Sequence, residues 1–181
     1  SDDWGSTISR RPIRRLDDFR GLKIRSGGIG GEIWKAFGAS IVTLPGEELY
    51  TALSTGVIDG ANWGSPYGNV ATKLHEVAKF YTGPSIIHSD AEDMFMNKAA
   101  FDSMPKELQQ VMLVATRVFA LERYSYALGA SARAFKTMRD AGVEIIVMPP
   151  EDVERMRALT KELVPKLAGD DPQTRRALQI I

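Results

Sequence analysis

Residues 40–61 read Ser40-Ile41-Val42-Thr43-Leu44-Pro45-Gly46-Glu47-Glu48-Leu49-Tyr50-Thr51-Ala52-Leu53-Ser54-Thr55-Gly56-Val57-Ile58-Asp59-Gly60-Ala61. The opening β-branched and apolar run predicts a strand, which Pro45 and Gly46 break. Glu47 and Glu48 suit the positive first turn of a helix, expected to run to about Thr55, where Gly56 stops it. Residues 57–61 predict the next strand. Just upstream, Leu22-Lys23-Ile24-Arg25 alternates like a short strand ending on a charge. Ser26-Gly27-Gly28-Ile29-Gly30-Gly31 reads as a flexible connection, and residues 32–37 as a short helix with Gly38 at its C-terminal cap. Strand alternating with helix argues for an α/β fold with a mainly parallel sheet. Ligands of such sheets sit beyond the carboxyl ends of the strands, where Arg25 and Asn62-Trp63 both fall.

Outside this block, residues 1–21 are polar and irregular, and residues 69–80 read as helix. Residues 86–90 link elements, and residues 93–97 predict a strand. Pro105 opens a helical tract that lasts until Gly142, with Leu108, Val111, Met112, Ala115, Val118 and Phe119 on one stripe. At about 1.5 Å per residue this tract approaches 50 Å, so it bridges two lobes or bends, and the Ala-, Ser- and Gly-rich residues 124–134 are the expected bend. A strand over 143–147, a helix over about 151–167 and a short helix after Pro172 complete the chain.

The composition closes off several functions. Apolar residues make up 44% and charged residues 25%, which excludes global disorder. Twenty-three basic residues balance 23 acidic ones, so no excess charge points to nucleic acid. The cluster Arg10-Arg11-Pro12-Ile13-Arg14-Arg15 precedes Asp17 and Asp18 and reads as a solvated turn. With no cysteine, disulfides, thiolate metal sites and cysteine nucleophiles are out. No apolar run approaches the roughly 20 residues that span a bilayer. The chain starts at Ser1 without a Met and reads as a processed protein or an excised piece.

Each candidate for chemistry competes with a plainer role. The glycine run fails the GxGxxG dinucleotide pattern, because the third position from Gly28 is Ile33 and the second from Gly27 is Ile29. His75 lies among charged neighbours and reads as surface; His88 admits a structural or a binding role. Arg25 at a strand end, flanked by glycines, is suited to a carboxylate, with which its planar fork makes two parallel bonds. Trp63, followed by Gly-Ser-Pro, forms a rigid aromatic wall of the kind small-molecule pockets use.

Two blocks carry a resemblance. Residues 12–25, PIRRLDDFRGLKIR, and residues 44–60, LPGEELYTALSTGVIDG, resemble the signatures of the solute receptors of tripartite ATP-independent periplasmic (TRAP) transporters, the DctP-like family. The LPGEE form and the Trp63–Pro66 segment are similar to the subgroup that binds α-keto and related organic acids. The likeness continues through Asn97-Lys98, Leu108-Gln109, the long helix and residues 142–145.

This resemblance implies a periplasmic binding protein of type II-like fold, with two lobes and a long lobe-spanning helix, of which the chain is the C-terminal part. Residues 3–90 correspond to a second-lobe α/β segment and 91–120 to a first-lobe strand and helix start. Residues 121–142 correspond to the lobe-spanning helix, and 143–181 to a return strand and C-terminal helices. The implied function is a periplasmic receptor, not an enzyme, that delivers a small organic acid to the membrane permease subunits of a TRAP transporter. Arg25 matches the arginine that clamps the ligand carboxylate. Asn62 and Trp63 stand where the subgroup has Glu-Trp, Trp4 where its metal-binding members have Gln, and His88 near a position occupied by Glu. Trp4 offers no side-chain oxygen and Asn62 only a neutral one, whereas hard cations want several oxygens and carboxylate charge. No metal and no cofactor is therefore expected: Asn62 and His88 hydrogen-bond the ligand, and Trp4 and Trp63 narrow the pocket. Self-association as a homodimer is expected to hide apolar surface that the preceding portion covers. The rival readings are a carboxylate-sensing module of the same fold and an acid–base enzyme using His88, Asp90 and Arg25.

Overall fold

The computed structural model, which describes residues 6–85 and 94–167 together with Pro172 and Arg176, builds one sheet. Its strands are β1 (Thr7–Ser9), β2 (Lys23–Arg25), β3 (Ser40–Val42), β4 (Gly60–Asn62), β5 (Phe80–Gly83) and β6 (Glu144–Val147), in the order β3-β2-β4-β1-β5-β6. β2 pairs in parallel with β3 and β4, and β5 with β6; β1 alone runs antiparallel, between β4 and β5. The helices are α1 (Gly28–Ala36), α2 (Leu49–Thr55), α3 (Pro66–Ala71), α4 (Leu74–Val77), α5 (Lys98–Asp102), α6 (Lys106–Asp140) and α7 (Pro150–Leu167), with 3₁₀ turns at Leu16–Phe19 and Gly46–Glu48.

Two apolar clusters hold the sheet in place. One joins Ile8 and Tyr81 of the sheet to Leu53 of α2, Leu74 of α4 and Met138 of α6. The other joins Ile24 to Ile33 and Trp34 of α1 and Met156 of α7, with Phe19 stacked on Trp34 at a centroid distance of 4.3 Å. Each large side chain buried this way contributes about 1.5–3 kcal/mol. Because β2 is braced by the second cluster and β4 pairs with it in parallel, the carboxyl ends of both strands are fixed side by side. That edge holds Arg25 and Asn62.

The α/β class and the mainly parallel sheet stand, with five of the six strands pointing the same way. Several local expectations change. Residues 1–21 are not irregular throughout, since β1 lies within them. Its three residues are too few to show alternation, and its partners lie some 50 and 70 positions downstream. Residues 69–80 are not one helix: α3 starts at Pro66, α4 follows, and β5 begins at Phe80. The strand expected over 57–61 is shifted to Gly60–Asn62. The glycine run is not a loose link, because α1 starts at Gly28. Gly31 lies so close to β3 that a Cβ there would sit 3.3 Å from Ile41 Cγ2. His75 is buried rather than on the surface.

Residues 94–97 form no strand and find no neighbouring strand among the described residues, and a strand exists only by its pairing. The long tract is one 35-residue helix, α6, without a break at 124–134. No proline there removes a backbone donor, and Ala, Ser and a single Gly are compatible with helix. Near its start Gln109 is buried and donates to the Phe101 and Met104 carbonyls; its other buried side chains, Ala127, Ala130, Ser131, Ala134 and Met138, lie in the second half, and residues 110–126 include none. Trp4, His88 and the helix expected after Pro172 fall outside the described residues, Pro172 and Arg176 excepted.

The basic cluster near residue 14 is not a free turn. Arg14 makes a two-pronged pair with Glu144 at 2.6 and 3.0 Å, and Arg15 reaches Glu151 and Asp152 on α7. Asp152 is fully buried; it accepts the Leu16 N–H at 3.1 Å and bonds from Arg155 and Arg15. Burial alone would raise its pKa, but the Leu16 amide, Arg155 and Arg15 together outweigh that and hold it below the ordinary 3.8. This carboxylate ties α7 to the start of the chain. Its stabilising effect is complete above the unfolded-state value and fades as pH falls through the lower folded value. Asp152→Asn should lower the unfolding free energy by about 2–3 kcal/mol at neutral pH. In denaturant titrations the gap from wild type should shrink as pH falls below the ordinary carboxylate range; a gap independent of pH would contradict this role.

Candidate functional site

Arg25 is the last residue of β2, and β2 lies between β3 and β4. Its guanidinium reaches the loop ends of both neighbours: Nε donates to the Leu44 carbonyl beyond β3, and Nη1 donates to the Asn62 carbonyl at the end of β4, each at 3.2 Å. The Trp63 ring packs against it, 4.9 Å from the guanidinium carbon to the ring centroid, a cation–π arrangement. Half-burial lowers its pKa from the usual arginine value, yet a guanidinium stays charged at any physiological pH. Among the described residues no carboxylate pairs with it. Two of its five N–H groups are spent on carbonyls, which carry no formal charge, and the other N–H groups remain for an anion.

The surroundings of Trp63 fix it in place. A Cβ on Gly46 would lie 2.5 Å from Trp63 Cη2, so only glycine leaves room for the indole there. Behind the ring, Ser65 caps α3 by accepting the Gly68 N–H, with Pro66 at the first helical position. Asn69, wholly buried, donates through Nδ2 to the Trp63 carbonyl at 2.6 Å and to the Ser65 carbonyl at 2.9 Å. Asn62 Nδ2 in turn points to the Ser6 carbonyl of the segment entering β1, at 3.4 Å. The structure thus brings Arg25, Asn62 and Trp63 together at one edge. Trp4 and His88 lie outside the described residues.

The sequence reading missed Gly46, Asn69 and the Leu44 carbonyl. Ser65-Pro66 is a legible helix start that would have placed Asn69 in the first turn of α3, next to Trp63. The role of Gly46 depends on a ring that approaches from 17 positions away and leaves no mark in the local pattern.

A hard cation needs several oxygen ligands, usually with carboxylate charge among them. Among the described residues no group of three His, Asp or Glu side chains converges. The oxygen-bearing side chain beside Arg25 is a neutral amide, and a guanidinium repels a cation. The described residues therefore do not fit a bound metal. As an arrangement of charge, the edge can hold an anion in two-pronged fashion against an aromatic wall.

Comparison with known proteins gives a consistent family. The family model described as "Bacterial extracellular solute-binding protein, family 7" (DctP) matches residues 2–170. The chain is 27% identical to the monocarboxylate 2-oxoacid-binding periplasmic protein of Nostoc sp., over 90% of this chain and 45% of the relative. It is 32% identical to the 2,3-diketo-L-gulonate-binding periplasmic protein of Escherichia coli, over 77% of this chain and 43% of the relative. A TRAP periplasmic solute-binding protein from Pseudoalteromonas atlantica, solved with bound sodium and pyruvate, superposes with a TM-score of 0.81. Its identity is 29%, covering 99% of this chain and 55% of that one. The chain spans about half the length of the curated relatives it matches.

The geometry around Trp63 yields a direct expectation. Asn69→Ala removes both bonds that hold the Trp63–Ser65 turn while leaving the indole itself in the chain. It should cost about 1–3 kcal/mol of stability and shift the Trp63 emission, measured with Trp4 and Trp34 both replaced by Phe to isolate the signal. An unchanged spectrum would show that Asn69 does not position the ring.

Proposed function

Because the chain belongs to family 7 of the bacterial extracellular solute-binding proteins, we propose that it is the arginine-bearing part of a periplasmic receptor. The receptor closes two lobes around a small organic acid and passes it to the permease subunits of a TRAP transporter. The observation that carries this reading is Arg25: a half-buried cation oriented by two carbonyls and an indole, with no carboxylate partner among the described residues. Such a group is preorganised for an anion, and closure that excludes water strengthens the attraction. Asn62 and Trp63 complete the near side of the site; Trp4 and His88 remain assigned to it by resemblance alone. The ligand is held without a metal bridge, in keeping with the neutral amide at Asn62. The family is one of solute-binding receptors, which sets the enzyme reading aside.

The lobe assignment is part of the same proposal. Residues 3–90 and 143–181 form the second lobe; in support, all six strands of the sheet come from these two ranges. Residues 91–120 belong to the first lobe, and 121–142 span the two. In support, the first half of α6 carries exposed apolar side chains, among them Leu108, Val111, Val114, Val118 and Leu121, the last 72% exposed. A face of this size on a helix is a packing surface. In the intact receptor it is covered by the first lobe, and in this chain alone by a second copy.

Two measurements follow. Isothermal calorimetry of the intact protein with pyruvate should detect binding that Arg25→Ala weakens by about 2–5 kcal/mol, the cost of removing one partner of a buried charge pair. Equal affinity in the variant would overturn the assignment of Arg25. Sedimentation of residues 1–181 alone should reveal concentration-dependent self-association that Val111→Lys with Leu121→Lys abolishes. A strictly monomeric wild-type chain would argue against the α6 face as a packing surface.

A further inference from the structure

α1 begins without a cap. It has nine residues, its N-cap is Gly27, and no side chain there accepts a bond. The first N–H groups of a helix have no partner inside it, and their dipoles gather positive charge at that end. No acidic side chain lies in the first turn, and Glu32, further along the helix, pairs with Lys35 at 3.7 Å. Gly27, Gly28 and Ile29 are exposed, and a Cβ on Gly27 or Gly28 would meet nothing within 4 Å. The turn is therefore open to an approaching group.

Ser26 is a second and independent sign of a ligand. It is 2% exposed, and its hydroxyl has no hydrogen-bond partner. Its N–H donates to the Val42 carbonyl at 3.4 Å, so the extended ladder of β2 and β3 continues through it. Side chains alternate along such a ladder. Ile24 packs with Ile33 and Trp34 of α1, Arg25 turns to Trp63, and Ser26 returns to the α1 side. The first turn of α1 stands directly over it: a Cβ on Gly31 would lie 3.9 Å from the Ser26 carbonyl carbon. A buried hydroxyl without a partner costs free energy that nothing in the free protein returns.

We infer that the first turn of α1 is a site for a phosphate-class oxyanion. The N–H groups of Gly28 and Ile29 donate to the anion, and a turn of χ1 brings the Ser26 hydroxyl to it from beneath. A tetrahedral group suits this set, because it offers separate oxygens to the amides and to the hydroxyl. Arg25, the preceding residue, adds positive field at this end of β2 without taking part in the contact. The anion is either a free ion or an acidic group of the bound solute; the second source rests on the receptor reading above, and the first does not.

Calorimetry and thermal unfolding of the intact protein test this with inorganic phosphate and phosphonoacetate. Phosphate should bind and raise Tm. Ser26→Ala should weaken phosphate about tenfold while leaving the Tm of the free protein unchanged or higher, because no bond is lost there. A hydroxyl with only a structural role would give the opposite pair of results. Gly27→Asp puts a carboxylate at the N-cap, where the open position and extended backbone accept it. It should raise the Tm of the free protein and abolish phosphate binding. Phosphate bound together with pyruvate identifies a free ion. Phosphonoacetate bound at least about tenfold tighter than phosphate, and weakened by Ser26→Ala, identifies an acidic group of the solute. Either result supports the site. No binding of either probe, or binding that both substitutions leave unchanged, overturns it. The receptor reading is decided separately, by pyruvate and Arg25→Ala.

Discussion

A guanidinium held between two carbonyls is the interaction on which the site depends. Arg25 is taken half out of water, which costs solvation free energy, and the Leu44 and Asn62 carbonyls with the Trp63 ring return part of it. They return it as dipoles and a quadrupole, so the positive charge is oriented but not neutralised. A carboxylate side chain in either place would have made a stable ion pair and a dead site. The strength of the next anion to arrive comes from this difference: its partner is already aimed, and little side-chain entropy remains to be lost.

Those carbonyls are where they are because of the sheet. β2 lies between β3 and β4 in parallel, so all three carboxyl ends emerge at one edge and their following loops lie within reach of one long side chain. β1 runs the other way, so the segment entering it, with Ser6, arrives at that same edge. The apolar clusters on the sheet keep the three strands in register. The bonds from Arg14 and Arg15 to Glu144, Glu151 and Asp152 bind the last strand and helix to the turn that leads into β2. The scaffold is braced where Arg25 is mounted and thinly anchored along the first half of α6.

What was legible in the sequence follows from the range of the forces involved. Alternation of Lys23-Ile24-Arg25, the Pro45-Gly46 break and the Gly56 cap are local, and the strands and helices they mark are present at about those places. Arg25, Asn62 and Trp63 could be placed at strand ends from that pattern alone, and they do meet. β1 was illegible because three residues show no period and all its stabilisation comes from distant partners. The arginine cluster looked solvated because Asp17 and Asp18 are nearby in the chain, while its strongest partners lie some 130 positions away. Gly31 and Gly46 share one lesson. Glycines that read as a flexible link or as a strand break serve close approach, of α1 to β3 in one case and of an indole to a turn in the other.

The amide at position 62 decides how the charges at this edge can balance. A guanidinium and one carboxylate sum to zero, and a closed, water-poor site tolerates that sum. Among the described residues no carboxylate pairs with Arg25, so an anion brought to the guanidinium meets a charge that nothing there has cancelled. Asn62, a neutral amide, adds no charge of its own to this balance, and the Trp63 ring lies against the guanidinium without cancelling its charge.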